Sequence, residues 1–178
     1  MKDLDTLLDR VRACRLCEKH LPLGPRPVVR AKSSARLLII GQAPGTRVHE
    51  SGVPWDDRSG ERLRDWLQLD PETFYDAGRV AIMPMGFCYP GRDAKGGDLP
   101  PRPECAPEWH DAIRAHLPDV ALTLLVGSYA QKRYLGGRGA RGARSLEWVL
   151  TFVRTRMRAG GLRKSVGAAC EPGGGAGH

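Results

Sequence analysis

The chain lacks any apolar run long enough to matter to a bilayer. Stretches such as Ala121–Val126 fall far short of the about 20 residues a membrane-spanning helix needs, so no membrane span is expected. The opening MKDLDTLLDRVRACRLC has no apolar signal-peptide core, which makes the cytoplasm the expected compartment. The glycine loop at residues 41–45 carries neither Gly-Lys-Ser/Thr nor G-x-G-x-x-G, which argues against a nucleotide hydrolase. Acidic residues are scarce only near the end. From Arg138 to His178 eight Lys/Arg face two acids, Glu147 and Glu171, and this stretch carries most of the formal net charge of +8. A basic Gly/Arg-rich segment can hold phosphate, but a solvated charge run has the same composition, so charge alone supports DNA binding weakly.

What is present describes one globular domain of ordinary composition, 178 residues with 41% hydrophobic and 27% charged side chains. Leu4, Leu7, Leu8 and Val11 recur at helical spacing and predict a first helix over residues 3–19. RLLIIG, VAIMPM and VALTLLVG read as buried strands. They alternate with the helical patterns ERLRDWLQL, CAPEWHDAIRAHL and SYAQKRYL. Apolar strands alternating with helices predict an α/β fold with a central parallel sheet covered on both faces, a three-layer α/β/α sandwich. Trp66 and Trp109 are expected in the core. The composition breaks after Leu135. Residues 1–136 form the expected domain and 137–178 a divergent basic segment, with a helix over about 145–157 and disorder after about Arg158.

Cys14 and Cys17 form a C-x2-C pair, Cys88 follows the second strand, and Cys105 opens a helix. In a cytoplasmic chain structural disulfides are disfavoured, so four such thiols suggest a metal or cluster site. Four thiolates hold either tetrahedral zinc or an iron–sulfur cluster. The later pair does not have zinc-ribbon spacing, and Cys170 is expected to ligate nothing.

Taken together, GQAPGTRVHESGVPWDDRSG, the cysteines, MGFCYPGRDAKGGDLPPRPECAPEW and LTLLVGSYAQKRYLG resemble the uracil-DNA glycosylase superfamily, nearest to its iron–sulfur branch. Gly41, Pro44, Gly45, Gly52, Pro54 and Gly60 fall on that pattern, with Trp55 at its Phe position. The resemblance implies a hydrolase of base-excision repair that removes uracil or a related deaminated base from DNA, and a monomer. It implies a 4Fe-4S cluster on Cys14, Cys17, Cys88 and Cys105, with zinc or no cofactor as alternatives. Gly41, Ala43, Pro44, Gly45, Trp55, Asp57, Pro84 and Met85 would bind the substrate, with Gln42 and His49 catalytic. Small residues let backbone amides approach an extruded nucleotide, and an aromatic ring can stack on its base.

The chain departs from the pattern in three places. Gln42 stands where the branch has Glu, and Ala43 where the uracil enzymes have a water-activating Asp; a glutamine can orient water but cannot act as a general base. Pro84, beside Met85, stands where a base-reading Asn is expected. The superfamily's later His-Pro motif is missing, since the only C-terminal histidine is His178. These departures leave open a non-catalytic DNA-binding member or a truncated or frameshifted product.

Overall fold

The computed structural model describes residues 3–136 in full and the backbone of 150–156 and 163–168. Three short apolar runs form parallel strands, β1 (Leu37–Ile40), β2 (Val80–Ile82) and β3 (Leu122–Val126), in the order β2-β1-β3. The register sets Ile39 opposite both Ile82 and Leu124. Because side chains alternate along a strand, each strand is apolar on both faces and feeds two separate cores.

On one face Leu38, Ile40, Ala81, Met83 and Leu125 pack with helices α1 (Leu4–Arg12) and α5 (Cys105–Ala115) and with Ala130 of α6 (Ser128–Leu135). The other face buries Ile39, Val80, Ile82, Leu124 and Val126 against Leu63 of α3 (Arg58–Leu67) and Phe74 of α4 (Pro71–Tyr75). This is the expected three-layer α/β/α sandwich around a parallel sheet. Leu4, Leu7, Leu8 and Val11 of α1 are all buried, at roughly 1.5–3 kcal/mol for each apolar side chain removed from water. Trp109 is buried as expected, whereas Trp66 is only half-buried.

Two features differ from the sequence expectation. The first helix ends at Arg12, because the apolar spacing fails after Val11 and Leu16 is exposed. Cys14–Cys17 therefore lie in turns, closed by Cys14 N donating to Val11 O and Glu18 N to Arg15 O. The second difference is at the C-terminal end, where residues 150–156 of the expected 145–157 helix form strand β4 (Leu150–Arg156), antiparallel to β3. Thr151, Phe152, Val153 and Thr155 supply the β-branched and aromatic bias of a strand, and the open edge of β3 supplies the partner. Strand β5 (Arg163–Ala168) follows, antiparallel to β4, where disorder was expected after Arg158. The 137–178 segment thus extends the sheet of residues 1–136 to β2-β1-β3-β4-β5. Residues 145–149 and 157 lie outside the described residues.

Candidate functional site

The carboxyl ends of the parallel strands open into one cleft of about 160 Å³. This is where ligands settle in open α/β sheets. After β1, Gly41–Gly45 form its wall and lead into α2 (Thr46–Ser51), for which Gly45 is the N-cap. Pro84 follows β2, Gly127 follows β3, and Trp55, Asp57 and Ser59 enter ahead of and at the start of α3. Of the expected substrate residues, Gly41, Ala43, Pro44, Gly45, Trp55, Asp57 and Pro84 line this cleft, as does Gln42.

The loop's carbonyls and amides are used differently. Gly41 O accepts from Met85 N at 2.8 Å and Gln42 O from Gly86 N at 3.0 Å, which locks the loop to the segment after β2. The amides of Gln42, Ala43 and Gly45 donate to no partner among the described residues. Loop amides without a partner, on residues that line a cleft, suit an anionic or carbonyl-bearing ligand.

Trp55 is held by backbone close-packing on two sides. Its φ of 59° lies in the left-handed region, costly for a bulky residue. Arg64 Nη1 and the Tyr75 hydroxyl each donate to Trp55 O at 3.2 Å, and Arg64 also donates to the Tyr75 hydroxyl at 2.9 Å. The same carbonyl lies only 1.7 Å from where a Cβ would stand on Gly60, so glycine is required there. At the other end, the indole edge fits over Gly41, where a Cβ would approach Trp55 Cζ2 to 2.7 Å. Asp57 caps α3, its Oδ1 accepting from Gly60 N at 2.8 Å, while it also lines the cleft.

Two expected site residues are not brought to the cleft. Val48 of α2 lines it, and His49, the next residue, sits about 100° further round the helix. The His49 ring lies 6.1 Å from Tyr89, and its buried Nδ1 has no hydrogen-bond partner. Burial, then the Arg26 guanidinium, lowers its pKa below the ordinary histidine value. Met85 alternates with Pro84 and joins the core with α1 and α5. Conversely, the sequence reading passed over Ser59, Asp98, Leu99 and Gly127, all of which line the cleft. Gly127 was findable as the strand–glycine–helix junction in LLVGSYA. Asp98 and Leu99 lie in a Pro/Gly-rich loop whose sequence carries no periodic signal.

A second cavity lies beyond the segment after β2. Cys14, Cys17, Cys88 and Cys105 all line it, together with Trp109, and all four are free thiols. Burial pushes Cys88 up to about 11 and Cys105 up to about 12, and it raises Cys17 as well. Phe87 N donates to Cys105 Sγ at 3.3 Å, and Trp109 Nε1 is buried without a partner. No three His, Cys, Asp or Glu side chains among the described residues converge tightly enough for one metal ion.

A three-layer sheet protein with a glycine-walled cleft over its parallel strands, and an aromatic edge pressed on the first glycine, belongs to the class of α/β proteins that bind ligands at strand ends. The profile of the uracil DNA glycosylase superfamily matches residues 29–166, and the chain belongs to that superfamily. Membership supports a glycosylase hydrolase of DNA repair with DNA as its substrate. No helix among the described residues is long and apolar enough to cross a membrane.

Proposed function

We propose that this chain hydrolyses the N-glycosidic bond of uracil, or a related deaminated base, in DNA. The carrying observation is the cleft itself, which combines unpartnered loop amides and an aromatic edge in about 160 Å³. That volume is below the roughly 300–1,000 Å³ of ordinary small-molecule pockets and suits a single planar base. A base inside a duplex must be extruded to enter it. The indole of Trp55 would then stack on the base, and the amides of Gln42, Ala43 and Gly45 would donate to its carbonyl oxygens.

As the bond breaks, the sugar becomes oxocarbenium-like and the base leaves with the electron pair. Amide donors stabilise the developing negative charge on the base. Asp57 is one of two carboxylates lining the cleft, the other being Asp98, which accepts from Arg92 Nε at 3.4 Å. Asp57 and the Gln42 amide are therefore the groups to orient the attacking water, with Asp57 also opposing the positive sugar. His49 lies outside the cleft and is not assigned this role.

The four thiols are read as ligands of a 4Fe-4S cluster, with zinc or no cofactor as the alternatives. Around one zinc, Zn–S bonds near 2.3 Å would hold thiolates within about 4 Å of one another. Thiolates on the corners of a cluster bind different irons, and Cys14, Cys17, Cys88 and Cys105 line one cavity. Cys14, Cys17, Cys88 and Cys105 would hold such a cluster, which would cross-link the segments that carry them.

Incubating the protein with an end-labelled uracil oligonucleotide, followed by alkali and a denaturing gel, tests the reading. Strand scission at uracil that falls about 10²–10³-fold in Gln42→Ala and in Asp57→Asn supports it. One observation favours a second reading, a binding protein without hydrolysis: no histidine lines the cleft among the described residues. Retention of the uracil strand without scission would establish that alternative.

A further inference from the structure

The end of β2 and the segment after it are stitched to β1 and its glycine loop through backbone amides. Met83 N donates to Ile39 O at 2.9 Å, Met85 N to Gly41 O at 2.8 Å and Gly86 N to Gln42 O at 3.0 Å. Pro84 interrupts that series, because proline has no N–H to give. Its own carbonyl accepts from no backbone amide among the described residues, although Pro84 is buried. A buried carbonyl left without a donor is costly. The donor that reaches it comes from across the core: His110 Nε2, on α5, lies 3.0 Å from Pro84 O. His110 is itself fully buried and lines neither the cleft nor the cysteine cavity. Since a carbonyl only accepts, Nε2 carries the proton. Nδ1 is then left to accept from the Tyr134 hydroxyl of α6 at 2.7 Å. The imidazole stacks on Phe87, with ring centroids 5.6 Å apart and planes 17° from parallel. Packing at this place needs no imidazole, which is costly to bury, whereas the Pro84 carbonyl needs a donor.

We propose that His110 is a positioning residue of the cleft: with Tyr134 fixing its tautomer, it holds the Pro84 carbonyl on the α5 side, so that the prolyl ring and not the carbonyl faces the extruded base. The inference rests on the glycosylase reading for the base, while the brace itself stands apart from it. Met85 N and Gly86 N draw the same segment toward Gly41 and Gln42, so the wall is gripped from both sides. Loss of the His110 grip loosens Pro84 and, through its two neighbours, the loop that carries the cleft amides. A proton on Nδ1 instead would turn a lone pair toward Pro84 O. The Tyr134 hydroxyl, by donating to Nδ1, selects the tautomer that binds. In this way a histidine outside the cleft acts on its shape.

Hydrogen exchange of the full chain under native conditions, read by NMR, tests the brace. The Met85 and Gly86 amides are compared with that of Val80, which donates to Asp76 O. In His110→Phe, exchange at Met85 and Gly86 should quicken about tenfold more than at Val80, the effect of one lost hydrogen bond. His110→Gln, whose side-chain amide nitrogen can take the place of Nε2, should restore the protection. Tyr134→Phe should act in the same direction, and it serves where His110→Phe does not fold. The double variant should be no worse than His110→Phe alone, because the hydroxyl acts through the imidazole. Nitrogen NMR of the histidine ring should show the Nε2–H tautomer in the unaltered protein. Exchange at Met85 and Gly86 that follows Val80 in every variant, or an Nδ1–H tautomer, overturns the brace. For the cleft, kcat/KM for uracil release should fall about tenfold in His110→Phe and recover in His110→Gln. Quickened exchange with unchanged kcat/KM overturns the assignment to the cleft. If the unaltered protein releases no uracil but exchange responds as stated, the glycosylase reading fails while the brace on Pro84 stands.

Discussion

Gly41, Gly60 and Trp55 form a unit in which each glycine makes room for one part of the tryptophan. In Gly41→Ala the new methyl meets the indole edge at 2.7 Å, so the ring must swing away from its place against the loop. Overpacking of this kind costs about 1–3 kcal/mol, and the displaced ring should lower uracil release more than the stability loss explains. Urea unfolding read beside kcat/KM on the same samples checks this, and Trp55→Phe should retain more activity than Trp55→Ala. His110 makes a different residue-scale prediction. It is fully buried; its Nε2 donates to Pro84 O at 3.0 Å, so its Nδ1 accepts from the Tyr134 hydroxyl at 2.7 Å. Burial is the main cause that lowers its pKa from 6.5 to about 4. A folded-state histidine pKa below the unfolded value means the unfolded chain binds the proton first as pH falls. Stability should therefore be lost between about pH 6.5 and 4, by up to about 3 kcal/mol. Urea midpoints at pH 7 and 4.5 should show this loss in the unaltered protein and a smaller one in His110→Phe, where nothing titrates. An equal pH dependence in both would refute it.

Among the elements, α3 and α4 offer a matched pair, because each begins with an aspartate that accepts a backbone N–H at 2.8 Å. Replacing either Asp57 or Asp70 by Ala should cost about 1 kcal/mol of stability through the lost cap. Only Asp57 also lines the cleft, so only Asp57→Ala should lower uracil release beyond its effect on stability. Equal activity in the two variants would reduce Asp57 to a capping residue. Elements of this kind were legible where local pattern and burial agree. β1, β2 and β3 are apolar on both faces, as strands between two layers of helices must be, and α5 showed its stripe in Ala106, Trp109 and Ile113. Residues 150–156 misled because Leu150 and Val153 also fit a helical spacing; what decides for a strand is the edge of β3, a partner remote in sequence. At the site, Gly41–Gly45 and Trp55 were legible through their spacing. That Val48 rather than His49 lines the cleft depends on where α2 starts after Gly45, a matter of one-residue phase that composition does not carry.

At the scale of the whole molecule, the two cavities are joined by one short segment, 84–88. Pro84 lines the cleft, Met85 N and Gly86 N bond the glycine loop, Phe87 N donates to Cys105 Sγ, and Cys88 ends in the second cavity. The thiols come from the turns after α1, from this segment and from the start of α5, so a group held by all four would cross-link stretches far apart in the chain. Burial keeps Cys88 and Cys105 protonated at neutral pH, so binding a metal group there must displace those protons. Protein purified without oxygen should then contain iron and inorganic sulfide and absorb visible light, and Cys88→Ser should lose all three. Because binding to the folded state alone adds to its stability, the loaded protein should melt higher than the Cys88→Ser variant. Release from the cross-link frees one end of 84–88, so the variant should also bind uracil-free DNA more weakly while its far-ultraviolet circular dichroism stays close to that of the unaltered protein. One equivalent of zinc, with no iron or sulfide, would replace the cluster by a single ion. Unchanged melting in Cys88→Ser would remove the cross-link from the account altogether.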